Sequence, residues 1–136
     1  YQCDWSSDVC SSDLNEVKKR ERYRPFGASV LGEHFDAHFS GHADAFMLYA
    51  CQVKGGPFPA ITHVDSTCRV QRVEREPACF RQLLERFHEL SGCPLLLNTS
   101  LNLAGKPLAA MPEHARQFFA ESAIDAMVIG DEVLVR

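Results

Sequence analysis

No apolar stretch in this chain approaches the roughly 18 residues that a membrane-spanning helix needs. CxxC pairs are missing as well. Cys51, Cys68, Cys79 and Cys93 are scattered, without the ligand spacings of a structural zinc site. They read as small buried apolar groups of a cytoplasmic domain, not as disulfides or metal ligands. Excess positive charge is also lacking. The formal net charge is −4, so bulk attraction to nucleic acid is not expected. No aromatic platform interleaves with the cations, as it would in a reader of single-stranded RNA. His34, His38 and His42 recur at every fourth position and on an unbroken helix would share a face. Ser40-Gly41 interrupts that pattern, so a surface segment is preferred over a metal site.

What the chain does have is enough length for one sizeable core, 136 residues, and the hydrophobic and charged content of an ordinary globular protein. Tyr1 to Leu14 stands apart. It holds two of the six Cys, the single Trp, four Ser, three Asp and no base. Its repeated Ser-Ser-Asp has neither helical nor strand periodicity. Residues 1–14 are therefore set aside as a non-native or disordered lead-in, expected to be dispensable for folding. The native part, 15–136, is expected to be a fragment that begins in mid-protein.

Patterning beyond that point alternates helices and strands, which implies an α/β class. Phe80, Leu83, Leu84, Phe87 and Leu90 predict an amphipathic helix over 77–91, with Pro77 in its first turn and Gly92 closing it. A second helix is expected over 112–122, with Phe118 and Phe119 facing inward. Met111 takes its N-cap position, a poor choice for capping. Residues 46–53, 61–64, 126–129 and 133–135 read as strands.

Three polar segments remain. Lys18-Lys19-Arg20-Glu21-Arg22-Tyr23-Arg24-Pro25-Phe26 places five cations within seven residues. Taken alone, it is a solvated basic face or an anion site. Thr62-His63-Val64-Asp65-Ser66-Thr67-Cys68-Arg69-Val70-Gln71 reads as strand, polar turn and strand, with Arg69 and Gln71 on one face. Leu95-Leu96-Leu97-Asn98-Thr99-Ser100-Leu101-Asn102 is a short buried strand opening into four hydrogen-bonding side chains. That loop either caps a turn or presents donors to a ligand.

In this order, the three segments resemble the C-terminal domain of the carbamoyltransferases that include the nodulation and antibiotic O-carbamoyltransferases. The family pattern is Lys-x-Arg-Glu-x-x-Arg-Pro-Phe, Thr-His-Val-Asp-Gly-Thr-x-Arg-Val-Gln and Leu-Leu-Asn-Thr-Ser-Phe-Asn. It continues here as Gly105-Lys106-Pro107, Pro112-Glu113 and Ile124-Asp125-Ala126-Met127-Val128-Ile129-Gly130. The resemblance implies a YrdC-like twisted mixed sheet with flanking helices. It also implies formation of carbamoyl-adenylate from carbamoyl phosphate and ATP accompanied by Mg. A separate Kae1-like N-terminal domain, holding iron, would then transfer the carbamoyl group to a hydroxyl acceptor.

The resemblance makes Lys18, Arg24 and Arg69 the candidate catalytic clamp on carbamoyl phosphate. Several fixed cations would reduce the repulsion between two polyanionic substrates. Arg20, His63, Asn98, Thr99, Ser100 and Asn102 are the candidate nucleotide contacts. No metal ligand is assigned in this domain, and Lys19 and Arg22 are assigned to solvent. Ala28, Ser66, Leu101, Ala104 and Lys106 depart from the usual Pro, Gly, Phe, Arg and Glu. Position 66 matters most, because Gly there often serves a positive-φ turn. Two alternatives stay open: an RNA- or nucleotide-binding module, and a catalytically incomplete fragment.

Overall fold

A computed structural model describes residues 9–21, 23–56 and 58–136. Residues 1–8, Arg22 and Pro57 lie outside the described residues. Where the sequence reads as one domain, the chain clusters into two compact units. Among the described residues, the first holds Val9, Cys10 and 24–99, and the second 11–23 and 100–136. The class is α/β, with helices flanking a mixed five-stranded sheet and a separate two-stranded one.

The first unit is organised around β1 (Gly27–Leu31), every residue of which is buried. The sheet also contains β2 (Phe39–Ser40), β3 (Ala50–Val53), β4 (Thr67–Val73) and β5 (Leu95–Asn98), in the order β2-β3-β4-β1-β5. Strand β4 runs parallel to β1, with Ala28 opposite Val70 and Ser29 opposite Gln71. Strand β5 runs antiparallel to it, with Gly27 opposite Asn98 and Ser29 opposite Leu96.

One sheet face therefore carries Gly27, Ser29 and Leu31 beside Arg69, Gln71 and Val73, and beside Leu96 and Asn98. At the Leu31 end this face is apolar. Leu31, Val73 and Leu84 form a core with Phe80 and Leu96 packed against it. Leu84 and Phe80 come from α3 (Ala78–Ser91). Toward Gly27 the same face turns polar. On the opposite face, α2 (Gly32–His38) brings Phe35 under the Arg72 guanidinium, 5.3 Å from its ring centre. Phe39 and Phe58 extend that aromatic layer.

Helix α3 ends as its sequence requires. Gly92 adopts φ 73° and donates its backbone N–H to the His88 carbonyl. Pro77 is the N-cap and not a first-turn residue. The expected inward stripe is narrower than the pattern suggests. Leu84 is fully buried, but Leu83 and Leu90 are 55 % and 72 % exposed. Only positions near the Leu84 line meet the sheet, while the flanking leucines overhang its edge.

Three further expectations are corrected. Residues 61–64 form a turn, not a strand, although Ile61 itself is buried. The strand expected over 46–53 shortens to Ala50–Val53, because the Asp44 carboxylate accepts the Phe46 and Leu48 N–H groups and folds that stretch into a loop. Residues 9–14, set aside with the lead-in, belong to α1 (Val9–Lys18). Its packed end holds buried Asn15 and Lys18. Helix propagation from such an anchored turn outruns weak local periodicity.

The second unit combines α1 from Ser11 onward with α4 (Pro112–Glu121) and the hairpin of β6 (Ala126–Ile129) and β7 (Glu132–Val135). Ala115 and Phe118 are the buried residues of α4. Phe119 is only half-buried and stacks under Arg136, 5.0 Å from its guanidinium carbon. Met111 is the extended N-cap and makes no side-chain capping bond, as its position in the sequence foretells.

Two stability predictions follow from local geometry. Met111→Thr supplies the missing side-chain acceptor and is expected to stabilise the protein by about 1 kcal/mol. A denaturant midpoint that stays put would show the α4 start to be satisfied without it. Ser66 sits at φ 62°, so the position that usually holds Gly does require left-handed backbone. Ser66→Gly should raise the unfolding free energy by about 0.5–1 kcal/mol, after the extra flexibility of the unfolded Gly is counted. Loss of stability in urea titration would contradict that.

Candidate active site

The basic segment begins where α1 ends. Lys19 takes φ 52°, Arg20 N–H bonds to the Asn15 carbonyl and Lys19 N–H to the Glu16 carbonyl. This pair of bonds across a left-handed residue is a Schellman turn. Lys19, assigned to solvent, is indeed exposed, but it also forms the turn that aims its neighbours.

Lys18 is only 5 % exposed. Its Nζ donates to the Ser100 carbonyl and lies 3.4 Å from Asn102 Oδ1. Ser100 Oγ donates to the same Oδ1 at 2.6 Å, and Asn102 Nδ2 donates to the Lys106 carbonyl at 2.9 Å. The Ala104 N–H returns to the Lys18 carbonyl at 3.0 Å. Residues 82 and 84 positions apart in sequence are thus one hydrogen-bonded cluster. These partners of the ammonium are neutral. Burial first, and then repulsion from half-buried Arg20, push the Lys18 pKa down. A buried cation with neutral partners and a second cation beside it is a site that an anion would relieve. Asn102 also lines a pocket of about 200 Å³ with Lys106, His114, Gln117 and Glu121. The departure at Lys106 is met there by an ion pair to Glu121.

The other candidates belong to the first unit. Arg69 is exposed between buried Cys68 and Val70, so it points off the core as strand alternation requires. It forms no ion pair with the described residues. Arg24 is exposed at a bend, and Thr99 is half-buried just after β5. His63 is half-buried and closes the turn into β4: its N–H meets the Thr67 carbonyl and its carbonyl accepts from Ser66 N–H. Asp65 Oδ1 accepts from Thr67 N and Oγ1, which holds its carboxyl below the usual range.

Asn98 enters a network that sequence reasoning missed. Its Nδ2 lies 2.8 Å from Ser29 Oγ and 2.9 Å from Gln71 Oε1. The Ser29 hydroxyl donates to the same Oε1 at 2.6 Å. Gln71 belongs to the second polar segment, where the sequence assigns it no role. Ser29, the one hydroxyl in a wholly buried strand, was the available signal, since a buried polar group needs a partner.

The three histidines disperse. His34 packs against His88, His38 against Phe58 and His42 against Tyr49. Cys51 and Cys68 face each other across β3 and β4, buried and unbridged. Burial, and then the neighbouring Cys51, push the Cys68 thiol up to about 12. Both are buried as expected, whereas Cys93 is only half-buried and Cys79, expected inside, is exposed on α3. Among the described residues, no group of three His, Cys, Asp or Glu side chains is placed to hold a metal, and no helix is long and apolar enough to cross a membrane.

The Lys18 ammonium gives a pH prediction. Its folded-state pKa lies below its ordinary 10.5, so the cost of burying its charge is fully present at neutral pH. That cost is relieved as pH rises through the lowered value toward the unfolded one. Comparison with Lys18→Met isolates this group. From pH 7 to 10, the stability difference should shift in favour of the wild type. A pH-independent difference in urea midpoints would show that the ammonium is not strained.

Comparison with known proteins completes the picture. Residues 3–136 match the family described as Carbamoyltransferase C-terminus. The nodulation protein NolO of Bradyrhizobium diazoefficiens is 37% identical over 84% of this chain and 22% of its own length. Nodulation protein U of Rhizobium tropici is 36% identical over 81% of the chain and 18% of its own. The 3'-hydroxymethylcephem-O-carbamoyltransferase of Amycolatopsis lactamdurans is 36% identical over 90% of the chain and 24% of its own. The chain spans about a quarter or less of the length of these relatives. The order of its polar motifs and these matches together make it a member of the carbamoyltransferase C-terminus family.

Proposed function

We propose that this domain forms carbamoyl-adenylate from carbamoyl phosphate and ATP, for O-carbamoyl transfer to a hydroxyl acceptor. The observation that carries the reading is the buried Lys18 ammonium, held by Ser100 and Asn102 on neutral partners. A phosphoryl group there would supply the negative charge that these neutral partners lack. Atom balance needs one water. Water releases phosphate from carbamoyl phosphate and leaves carbamate, whose oxygen attacks the α-phosphorus of ATP and displaces pyrophosphate. Charge builds on phosphoryl oxygens in both steps, where fixed cations act.

In this reading, Lys18, Arg24 and Arg69 serve carbamoyl phosphate. Arg20, His63, Asn98, Thr99, Ser100 and Asn102 serve the nucleotide. Mg enters with ATP as part of that substrate. Transfer to the acceptor belongs to a Kae1-like, iron-holding N-terminal domain within the rest of the relatives' length, and the setting is the cytoplasm, where both substrates are made. The O-carbamoyltransferase activity named for the cephem relative supports O-carbamoylation as the overall reaction.

Exchange of labelled pyrophosphate into ATP, measured on the full chain, should require carbamoyl phosphate and should disappear in Lys18→Ala. In calorimetry, Arg69→Ala should weaken carbamoyl phosphate binding about tenfold or more, the scale of a charge-assisted bond of about 1.5–3 kcal/mol. Arg69→Lys should recover only part of this, because it keeps the charge and loses the planar fork. Exchange without carbamoyl phosphate, or equal affinities in all three proteins, would reject the reading.

A further inference from the structure

We infer that Asn98 recognises the –NH2 of the carbamoyl group through its side-chain oxygen, with Gln71 as the positioning residue that fixes its orientation. This rests on the carbamoyl phosphate reading and moves Asn98 from nucleotide to carbamoyl recognition.

The argument is one of hydrogen-bond polarity. The Ala45 carbonyl can only accept, so the end of Gln71 that faces it, at 3.1 Å, is Nε2. Gln71 Oε1 must then face the other way, where the Ser29 hydroxyl and Asn98 Nδ2 both reach it. Asn98 Nδ2 has a second contact at Ser29 Oγ. The Nδ2 end is therefore turned toward these two oxygens, and Oδ1 is left as an acceptor with no donor among the described residues. The starting carbonyl is itself held. Arg72 N–H bonds to the Asp44 carbonyl at 2.8 Å, and the Asp44 carboxylate fastens the Phe46 and Leu48 N–H groups. A backbone carbonyl on a pinned loop thus sets which end of Asn98 is presented.

The register supplies the rest. Asn98 pairs with Gly27, and Arg69 precedes Val70, the partner of Ala28. Arg69, Gly27 and Asn98 therefore form one row on one face, with no side chain in the middle. A Cβ on Gly27 would meet Met47 Cε at 2.1 Å and the Arg69 carbonyl at 3.1 Å. Only glycine leaves this notch, and a flexible thioether that can swing aside rests in it. A guanidinium fork on one wall and an amide oxygen on the other match the two ends of carbamoyl phosphate: a phosphate and an N–H donor.

Acetyl phosphate is the probe, since it replaces –NH2 by a methyl that cannot donate. Wild type should bind carbamoyl phosphate at least about tenfold more tightly than acetyl phosphate, as sites built around a donor reject analogues lacking it. In Asn98→Leu the preference should fall to within about twofold, through weaker carbamoyl phosphate binding alone. Gln71→Leu, which frees the Asn98 amide to turn over, should lose most of the preference while keeping its affinity for acetyl phosphate. If Asn98→Leu does not fold, the wild-type preference and Gln71→Leu decide. Equal binding of both phosphates by wild type, or full preference in a folded Gln71→Leu, overturns the inference and leaves the carbamoyl phosphate reading standing. Binding of neither phosphate by wild type overturns both.

Discussion

The enclosure of β1 is the constraint on which the first unit depends. All five of its residues are buried, and it is paired on both edges. Nothing large fits at its start, where Gly27 lies against the backbone carbonyls of Arg69 and Asn98. Nothing polar is tolerated within it without a partner, and Ser29 finds two. One pairing therefore builds the apolar end of the sheet face under α3 and the polar end around Asn98. An additional methylene anywhere along this strand would be felt at both.

In the second unit the corresponding constraint is electrostatic. A Schellman turn at Lys19 drives the Lys18 side chain inward, against desolvation and against Arg20. Folding tolerates that cost because the Ser100 carbonyl and the Asn102 side chain accept its protons. A ligand of opposite charge bound beside it would relieve that cost.

Family membership and geometry answer different questions. The match over 3–136 says what kind of domain this is. It does not say which atom faces a substrate. That distinction matters for Asn98, which lies within a family motif and which only the network with Gln71 and Ser29 orients. It matters again for Ser66, whose φ of 62° explains why glycine is usual there.

The sequence by itself determined the elements whose signals are local. The Gly92 stop of α3, the uncapped start of α4 at Met111, the β6–β7 hairpin and the turn at Ser66 follow from φ preferences and short-range bonding. So did the outward direction of Arg69, because alternation in a half-buried strand has period two. Tertiary structure decided the rest. Residues 61–64 have a strand-like composition but pair with no strand among the described residues, and Leu83 and Leu90 have the right spacing but stay exposed. Residues 9–14 lack periodicity, yet a packed helix end carries them into α1. The bond between Lys18 and Ser100 spans 82 positions, and the polarity of Asn98 is set by a carbonyl at Ala45. Such contacts are fixed by which strands become neighbours, and no local pattern encodes that.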